Sequence, residues 1–218
     1  TKKKVIGQSI EIVRRRIDET GTKEPVIQAQ GDDRILVQLP GIDDPERVKD
    51  LLGKTAKLSF NLVNDAVDLT KSTAPAGARI LSFQENPSQK IAIDRRALIT
   101  GEMLVDSQPT FQDNEPVVSF RFDSVGSRRF CDVTSANVGK PFAIVLDGEV
   151  ISAPVIRDAI CGGSGIISGG FTTQDANDLS LLLRAGALPA PLTVIEERTV
   201  GPSLGADSIE AGEKASIL

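Results

Sequence analysis

Seven carboxylates fall in the stretch from Asp123 to Asp178: Asp123, Asp132, Asp147, Glu149, Asp158, Asp175 and Asp178. Two carboxylates that met in the fold could act as an acid–base pair or share two metal ions. Their spacing favours neither arrangement. Asp175 reads better as a helix cap and Asp147 as a hairpin turn. The chain has no His, no Trp and no Tyr. That excludes a Ser-His-Asp triad, a Cys-His pair and any His-ligated metal, and removes the side chain best suited to proton transfer near neutral pH. The two cysteines, Cys131 and Cys161, cannot form a thiolate zinc site alone. They could make one disulfide or serve as two small core hydrophobes. The run "GGSGIISGG" from Gly162 to Gly170 has the glycine content of a phosphate cradle but no Lys-Ser/Thr ending. It also has the wrong order of strand and helix, so it reads as turns and strand bends. Gly139-Lys140 runs into Pro141, which marks a turn. The expectation is no catalytic residue, no metal, no cofactor and no enzyme activity.

Composition narrows the partners. The 218 residues are 40% hydrophobic and 25% charged, with 25 Lys and Arg against 30 Asp and Glu, for a net charge of −5. A nucleic-acid binder usually carries a basic surplus, so no nucleic-acid partner is expected. Lys2-Lys3-Lys4 and Arg14-Arg15-Arg16 read as solvated faces. No run of about 18 apolar residues exists to span a bilayer, and no signal peptide is visible. Because the first residue is Thr1, the chain reads as a piece of a longer protein.

The elements that position these residues fall into two units. Residues 5–20 predict an amphipathic helix with Ile6, Ile10, Val13 and Ile17 in one stripe, the three arginines facing away and Gly21 as terminator. Strands follow near 25–30 and 34–39 around the turn "GDD". A second helix opens with Asp44 at the N-cap, Pro45 at the first helical position and Glu46 in the first turn. Val48, Leu51 and Leu52 are its buried side. In "KLSFNLV", Leu58, Phe60 and Leu62 alternate with polar residues as in a half-buried strand. The order α-β-β-α-β predicts a ferredoxin-like split βαβ sheet without its first strand.

After the polar stretch 64–78, a second α+β unit begins. It predicts strands near 79–83 and 90–93, a hairpin over 108–112 and 117–122, and a helix over 124–137. A second hairpin turns on Asp147-Gly148. A helix capped by Thr172 and Asp175 follows, with Leu179, Leu181, Leu182, Leu183 and Leu188 on more than one face. "LTVIEERTV" after Pro191 predicts one more strand, which returns to the first unit. The expected organisation is α+β: a split βαβ base over 1–64, an inserted head over 65–190, a returning base strand over 191–204 and a lead-out over 205–218. Two crossings, Val63-Asn64-Asp65 and Pro189-Ala190-Pro191-Leu192, would then be the hinge. Of the phenylalanines most are expected in the core, while Phe111, Phe120 and Phe142 are the candidates to line a groove for extended polypeptide.

Four stretches carry a resemblance. "GQSIEIVRRRIDETGTKEPVIQAQGDDRILVQLPGIDDPERVKDLLGKTAKLSFNLV", together with "GKPFAIVLDGEVISAPVI", "GGSGIISGGFTTQDANDLSLLLRAGALPAPL" and "ERTVGPSLGADSI", resembles the SecD branch of the SecDF family of bacterial protein-translocation subunits. Only about 64–120 is loosely matched. The resemblance implies a first periplasmic domain with a ferredoxin-like base and an inserted head. It further implies a transmembrane helix and an "LRGG"-type strand upstream, and a second transmembrane helix beginning near "EKASIL". The implied partners are SecF, the SecYEG channel and unfolded preprotein. The implied location is the extracytoplasmic side of the bacterial inner membrane, in a membrane-embedded full-length protein that uses the proton-motive force. The family is similar to RND transporters, so a small-molecule efflux porter domain is the alternative. A hydrolase or transferase is a third reading that no clustered residues support. Cys131 and Cys161 stand where the family generally has apolar residues, and their pairing stays open.

Overall fold

The computed structural model describes residues 2–22, 24–70 and 74–198. Helix α1 (Lys2–Glu19) buries Ser9, Val13, Arg16 and Ile17, the i, i+4, i+7, i+8 face of a helix. Ile6 and Ile10 of the expected stripe are only half-buried. Arg14 and Arg15 are exposed as expected, but Arg16 is fully buried, a correction to the solvated arginine face. Gly21 at φ +76° ends the helix, its N–H donating to Asp18 O, in the left-handed geometry glycine adopts without a side-chain penalty.

Strands β1 (Val26–Gln30) and β2 (Arg34–Gln38) form an antiparallel ribbon with Val26 opposite Gln38. Helix α2 (Pro45–Gly53) starts as expected: the Asp44 side chain accepts from Arg47 N at 3.0 Å, and Val48 and Leu51 point inward. Strand β3 (Leu58–Leu62) does not join the β1–β2 ribbon. It lies inside a four-stranded antiparallel sheet ordered β10 (Glu149–Ser152), β9 (Phe142–Leu146), β3, β6 (Ile99–Thr100). The alternation of Leu58, Phe60 and Leu62 says that one face needs a core; it does not say which sheet supplies it. Phe60 finds that core among Phe120, Phe122, Phe130 and Phe142, at ring-centroid distances of 5.5, 5.8, 6.1 and 5.8 Å, the tilted packing aromatic pairs favour. Among the described residues the base side therefore consists of α1, α2 and a two-stranded ribbon, not a split βαβ sheet.

Residues 192–198 also depart from expectation. They form no strand, and Val194 and Ile195 are exposed. The segment lies against α1 and α2: Leu192 packs on the cluster of Val13, Ile17, Ile27 and Leu188, and Glu197 pairs with Lys49 at 2.8 Å. The expected strand end at 199–200 and the lead-out over 205–218 lie outside the described residues. No helix among the described residues is long and apolar enough to cross a membrane.

Two hairpins build the rest: β4 (Ala78–Ser82) with β5 (Lys90–Asp94), and β7 (Leu104–Gln112) with β8 (Glu115–Phe122). The second turns on Asp113 and Asn114, both at positive φ, which matches the twist of paired strands. Strand β11 (Ser164–Ile167) adds to the other edge of β8. Gly165 in β11 is required by packing, because a Cβ there would stand 2.5 Å from the Phe120 ring. Helix α3 (Ser124–Ala136) is capped by Asp123, which accepts from Gly126 N at 2.7 Å. Helix α4 (Thr173–Ala185) carries the expected capping box of Thr172 and Asp175. Leu179 and Leu183 of α4 enter the large core with the phenylalanines, while Leu181 and Leu182 pack with Leu51 and Ala56 from the base side. One helix thus serves two cores, which is why its apolar residues cover more than one face.

Candidate functional site

The polar groups with the most connections gather where α1, α2 and α4 meet. Arg16 lies on the inner face of α1, opposite the C-terminal ends of α2 and α4. A helix C-terminus presents carbonyls without intrahelical partners and a partial negative charge. The Arg16 guanidinium answers both ends. Its Nη1 donates to Leu51 O at 2.6 Å and to Lys54 O just past α2, and its Nη2 donates to Gly186 O at 3.2 Å past α4. A longer bond runs to Thr55 O at 3.4 Å. Among the described residues no carboxylate touches it, and its Nε has no partner. Burial lowers its pKa from the ordinary arginine value to about 10, partly offset by the charge of Asp147. At neutral pH it stays charged.

Asp147 ties the same region from the head side. It sits at the β9–β10 turn with φ +51°, and its carboxylate accepts from Thr55 Oγ1, from Ala56 N at 2.9 Å and from Lys57 N at 2.8 Å. Leu188 N donates to Thr55 O at 2.8 Å. Two ion pairs flank the junction: Arg47 with Asp178 at 2.6 Å, joining α2 to α4, and Arg184 with Glu19 at 2.6 Å, joining α4 to α1. The Asp178 hydrogen bond raises the pKa of Arg47 above its ordinary value.

The expected hinge residues occupy unlike settings. Val63 pairs with Ile93 and donates from N to Pro141 O at 3.3 Å. Asn64 donates from N to Ala92 O at 2.9 Å and from Nδ2 to Asp94 Oδ1 at 2.8 Å. These bonds hold the Val63-Asn64 end of the Val63–Asp65 crossing in the head, leaving Gly53–Lys57 as the chain between α2 and β3. Pro189, Ala190 and Pro191 follow α4 outside any helix or strand, and Leu192 packs on the base cluster.

The structure separates the three groove candidates. Phe120 and Phe142 have their side chains buried in the aromatic core, and Phe120 is also among the residues that line the sheet groove. Phe111 is 64% exposed, near the tip of the β7–β8 hairpin. A shallow groove does run along the outer face of the β11–β8–β7 sheet, lined by Asp106, Gln108, Ser119, Arg121, Ser164 and Ile166 among others. Cys131 of α3 and Cys161 are joined in a disulfide with Cα atoms 4.3 Å apart.

The scattered carboxylates have structural duties. Asp123 and Asp175 cap helices, Asp147 holds a turn and a linker, and Asp178 pairs with Arg47, while Asp132, Glu149 and Asp158 are exposed. Among the described residues no group of three or more His, Cys, Asp or Glu is placed to hold a metal. Sequence reasoning missed Arg16, the linking role of Asp147 and the double duty of α4. The one available signal for Arg16 was its spacing, three residues past Val13 and one before Ile17.

Comparison with solved structures places this α+β architecture in the class of SecDF P1 domains. The chain superposes with TM-score 0.74 on a structure of SecDF, described as a membrane component that enhances protein export. The two are 31% identical, covering 91% of this chain and 94% of that one. It superposes with TM-score 0.78 at 34% identity on SecDF in a super-membrane-facing form, covering 98% of this chain and 30% of that one. The family model for the SecDF P1 head subdomain matches residues 78–190, and the model for the N-terminal part of the P1 domain of protein translocase subunit SecDF matches residues 6–65. The chain belongs to the SecD/SecDF family of protein translocase subunits. It is 52% identical over 219 residues to protein translocase subunit SecD of Rickettsia bellii, 50% over 219 residues to that of Rhodobacter capsulatus and 54% over 218 residues to that of Acetobacter pasteurianus, covering 99%, 100% and 96% of this chain. It spans about two fifths of the length of these curated relatives: 42%, 40% and 41%.

Proposed function

We propose that this chain is the extracytoplasmic domain of a SecD-type accessory subunit of the Sec translocase. In this reading it binds translocating preprotein and moves to assist export driven by the proton-motive force through SecYEG, together with SecF, at the bacterial inner membrane. The observation that carries the reading is the match of nearly the whole chain to translocase subunits named SecD, at 52% identity in one case. The same matches do not favour an efflux porter. The full-length protein is membrane-embedded in this reading, and the domain acts by binding and motion, not by catalysis.

The geometry supports a division into base and head, with the boundary shifted from the sequence expectation. The moving bodies are α1, β1, β2 and α2 on one side, and β3 onward to α4 on the other. The pivots are Gly53-Lys54 and Pro189–Leu192, because Val63 and Asn64 are bonded into the head and Thr55, Ala56 and Lys57 are held to it by Asp147. The proline pair fixes two φ angles and bars helix continuation, which confines bending to a few residues, as hinge closure requires. Motion must break the contacts at the junction. Exposed ion pairs such as Arg184–Glu19 contribute about 1 kcal/mol or less. The buried Arg16 network costs more, on the order of 3 kcal/mol to disrupt. Moving one elementary charge across 100 mV releases about 2.3 kcal/mol, so breaking the junction takes the equivalent of about two or more protons per cycle. Phe111 is retained as a polypeptide contact on its exposure and Phe120 on its place in the groove lining; Phe142, buried and away from the groove, is not.

The test is Arg47→Cys with Asp178→Cys in the full-length protein, joined by a short bifunctional maleimide that clamps α2 to α4. Vesicles carrying the clamped protein should lose proton-motive-force-dependent export of a preprotein, while each single cysteine variant treated alike keeps it. Equal export by clamped and unclamped protein refutes the motion.

A further inference from the structure

We infer that the Cys131–Cys161 disulfide is a redox-sensitive clasp that pins the loop 157–163, and with it the start of β11, to α3. Little else holds that loop. On one side it is anchored at Ile156, whose N–H donates to Lys140 O at 3.0 Å and whose carbonyl accepts from Gly139 N at 2.8 Å. On the other side it is anchored at Gly163, whose carbonyl accepts from Phe122 N at 2.8 Å. Between these points residues 157–162 are all exposed. Among the described residues one hydrogen bond reaches them, from Ile160 N to Thr134 Oγ1 at 2.9 Å. Arg157 and Asp158 make no ion pair among the described residues. A segment with so few buried contacts opens at low free energy, and the bond from Cys161 to Cys131 is its covalent restraint.

The chain beyond the loop gives the restraint its consequence. Gly163 sits at φ +69° so close to α3 that a Cβ would stand 2.1 Å from Ser127 Oγ. The backbone then enters β11, an edge strand whose Ser164, Gly165 and Ile166 line the groove on the outer sheet face. The backbone of β11 pairs with β8 from Ser164 opposite Arg121 to Ile167 opposite Val118, but of its four side chains Ile167 alone is buried in the core. Releasing the clasp therefore frays β11 from Ser164 toward Ile166 and removes one wall of the groove.

The bond is placed for exchange in the folded protein. Cys161 is exposed and Cys131 half-buried. The attacking thiolate of a dithiol reductant, of the class carried by thiol–disulfide exchange proteins, reaches Cys161 Sγ. It forms a mixed disulfide there, and Cys131 leaves as a thiolate. The reductant's second thiol then displaces Cys161. Two electrons and two protons pass to the pair, which ends as two thiols, and the reductant ends as a disulfide. Exposed disulfides are the ones that serve as labile links.

The test uses dithiothreitol as the reductant, on the intact chain without denaturant, followed by alkylation and hydrogen-exchange mass spectrometry. Reduction should proceed in native buffer at a rate proportional to dithiothreitol concentration. Peptides over 157–166 should then exchange about tenfold faster or more on the seconds-to-minutes scale, while β9 stays protected over that interval. Cys131→Ser/Cys161→Ser should show the same pattern; if that variant does not fold, the reduced wild-type protein decides. Reduction that waits for denaturant overturns the inference. So does unchanged exchange over 157–166, or an equal loss of protection in β9, which marks a purely global staple.

Discussion

Replacing Arg16 with methionine removes the guanidinium while keeping most of the side chain's volume. Three backbone carbonyls within 3.2 Å lose their donor: Leu51 O, Lys54 O and Gly186 O. A hydrogen bond to a charged group is worth about 1.5–3 kcal/mol, and a buried acceptor left alone forfeits its solvation. Against this loss, methionine no longer bears the desolvation of a buried charge. Carbonyls left without a donor forfeit roughly 1–3 kcal/mol each, and the relieved desolvation of the charge offsets part of that, which places Arg16→Met at about 3 kcal/mol. With a urea m-value of about 2.5 kcal/mol/M for a chain of this size, the midpoint should fall by roughly 1.2 M. Arg16→Lys should recover only part of this, because a single ammonium cannot reach the ends of both helices as the planar fork does. Arg15→Met, on the exposed side of the same helix, should change stability by about 0.5 kcal/mol or less. Paired urea melts followed by circular dichroism give all three numbers. If Arg16→Met and Arg15→Met unfold at the same midpoint, the guanidinium does not join the two helices as described.

Three further outcomes are expected. Cys131→Ser/Cys161→Ser opens a loop with a sequence separation of 30, for which chain entropy alone gives about 3.7 kcal/mol; calorimetry showing less than about 1 kcal/mol would contradict it. In α4, Thr172 hydrogen bonds hold Asp175 below its usual pKa of 3.8. Its depressed folded-state pKa means the stabilisation is present above the ordinary carboxylate range and is lost as pH falls through the folded value. The melting-temperature gap between wild type and Asp175→Asn should therefore narrow below about pH 4, and a constant gap from pH 7 to pH 2 would reject the capping role. Gly126→Ala places a Cβ 2.8 Å from Met103 Cβ, so thermal melts should show a loss of about 1–3 kcal/mol, and a neutral result would mean that α3 shifts freely on the hairpin.

The local elements were legible because each carries its own chemistry. Asp44-Pro45, the Thr172–Asp175 box, Gly21 and Asp147-Gly148 mark starts, stops and turns by rules that need no tertiary contact. Sheet membership was not legible. Leu58, Phe60 and Leu62 alternate in the same way whether the strand pairs with β2 or with β9, and the choice depends on phenylalanines more than fifty residues downstream. Arg16 was hidden for a related reason. Within a run of three arginines the sequence offers no sign that one meets carbonyls of residues 51, 54 and 186. The strand expected over 192–200 failed in 192–198 because "LTVI" has strand chemistry but finds no ladder partner among the described residues. The sequence did not separate the exposed Phe111 from the buried Phe120 and Phe142, because aromatic residues of core and surface look alike in one dimension.

The position of β3 has a consequence for how such proteins vary. A unit that plugs into its host by two loops can be lost, replaced or borrowed whole. Here β3, which precedes the stretch matched by the head model at 78–190, pairs with strands of that stretch on both sides, Leu58 through Leu62 opposite Leu146 through Phe142 and Ser59 and Phe60 opposite Thr100 and Ile99. A cassette exchange over 78–190 would carry β6 and β9 away from the strand between them, and would uncover the Phe60 side chain on the chain that gave the cassette up. A substitution on either part must therefore keep faith with the other: the five residues of β3 and the strands paired on its two sides constrain one another's side chains across the same core.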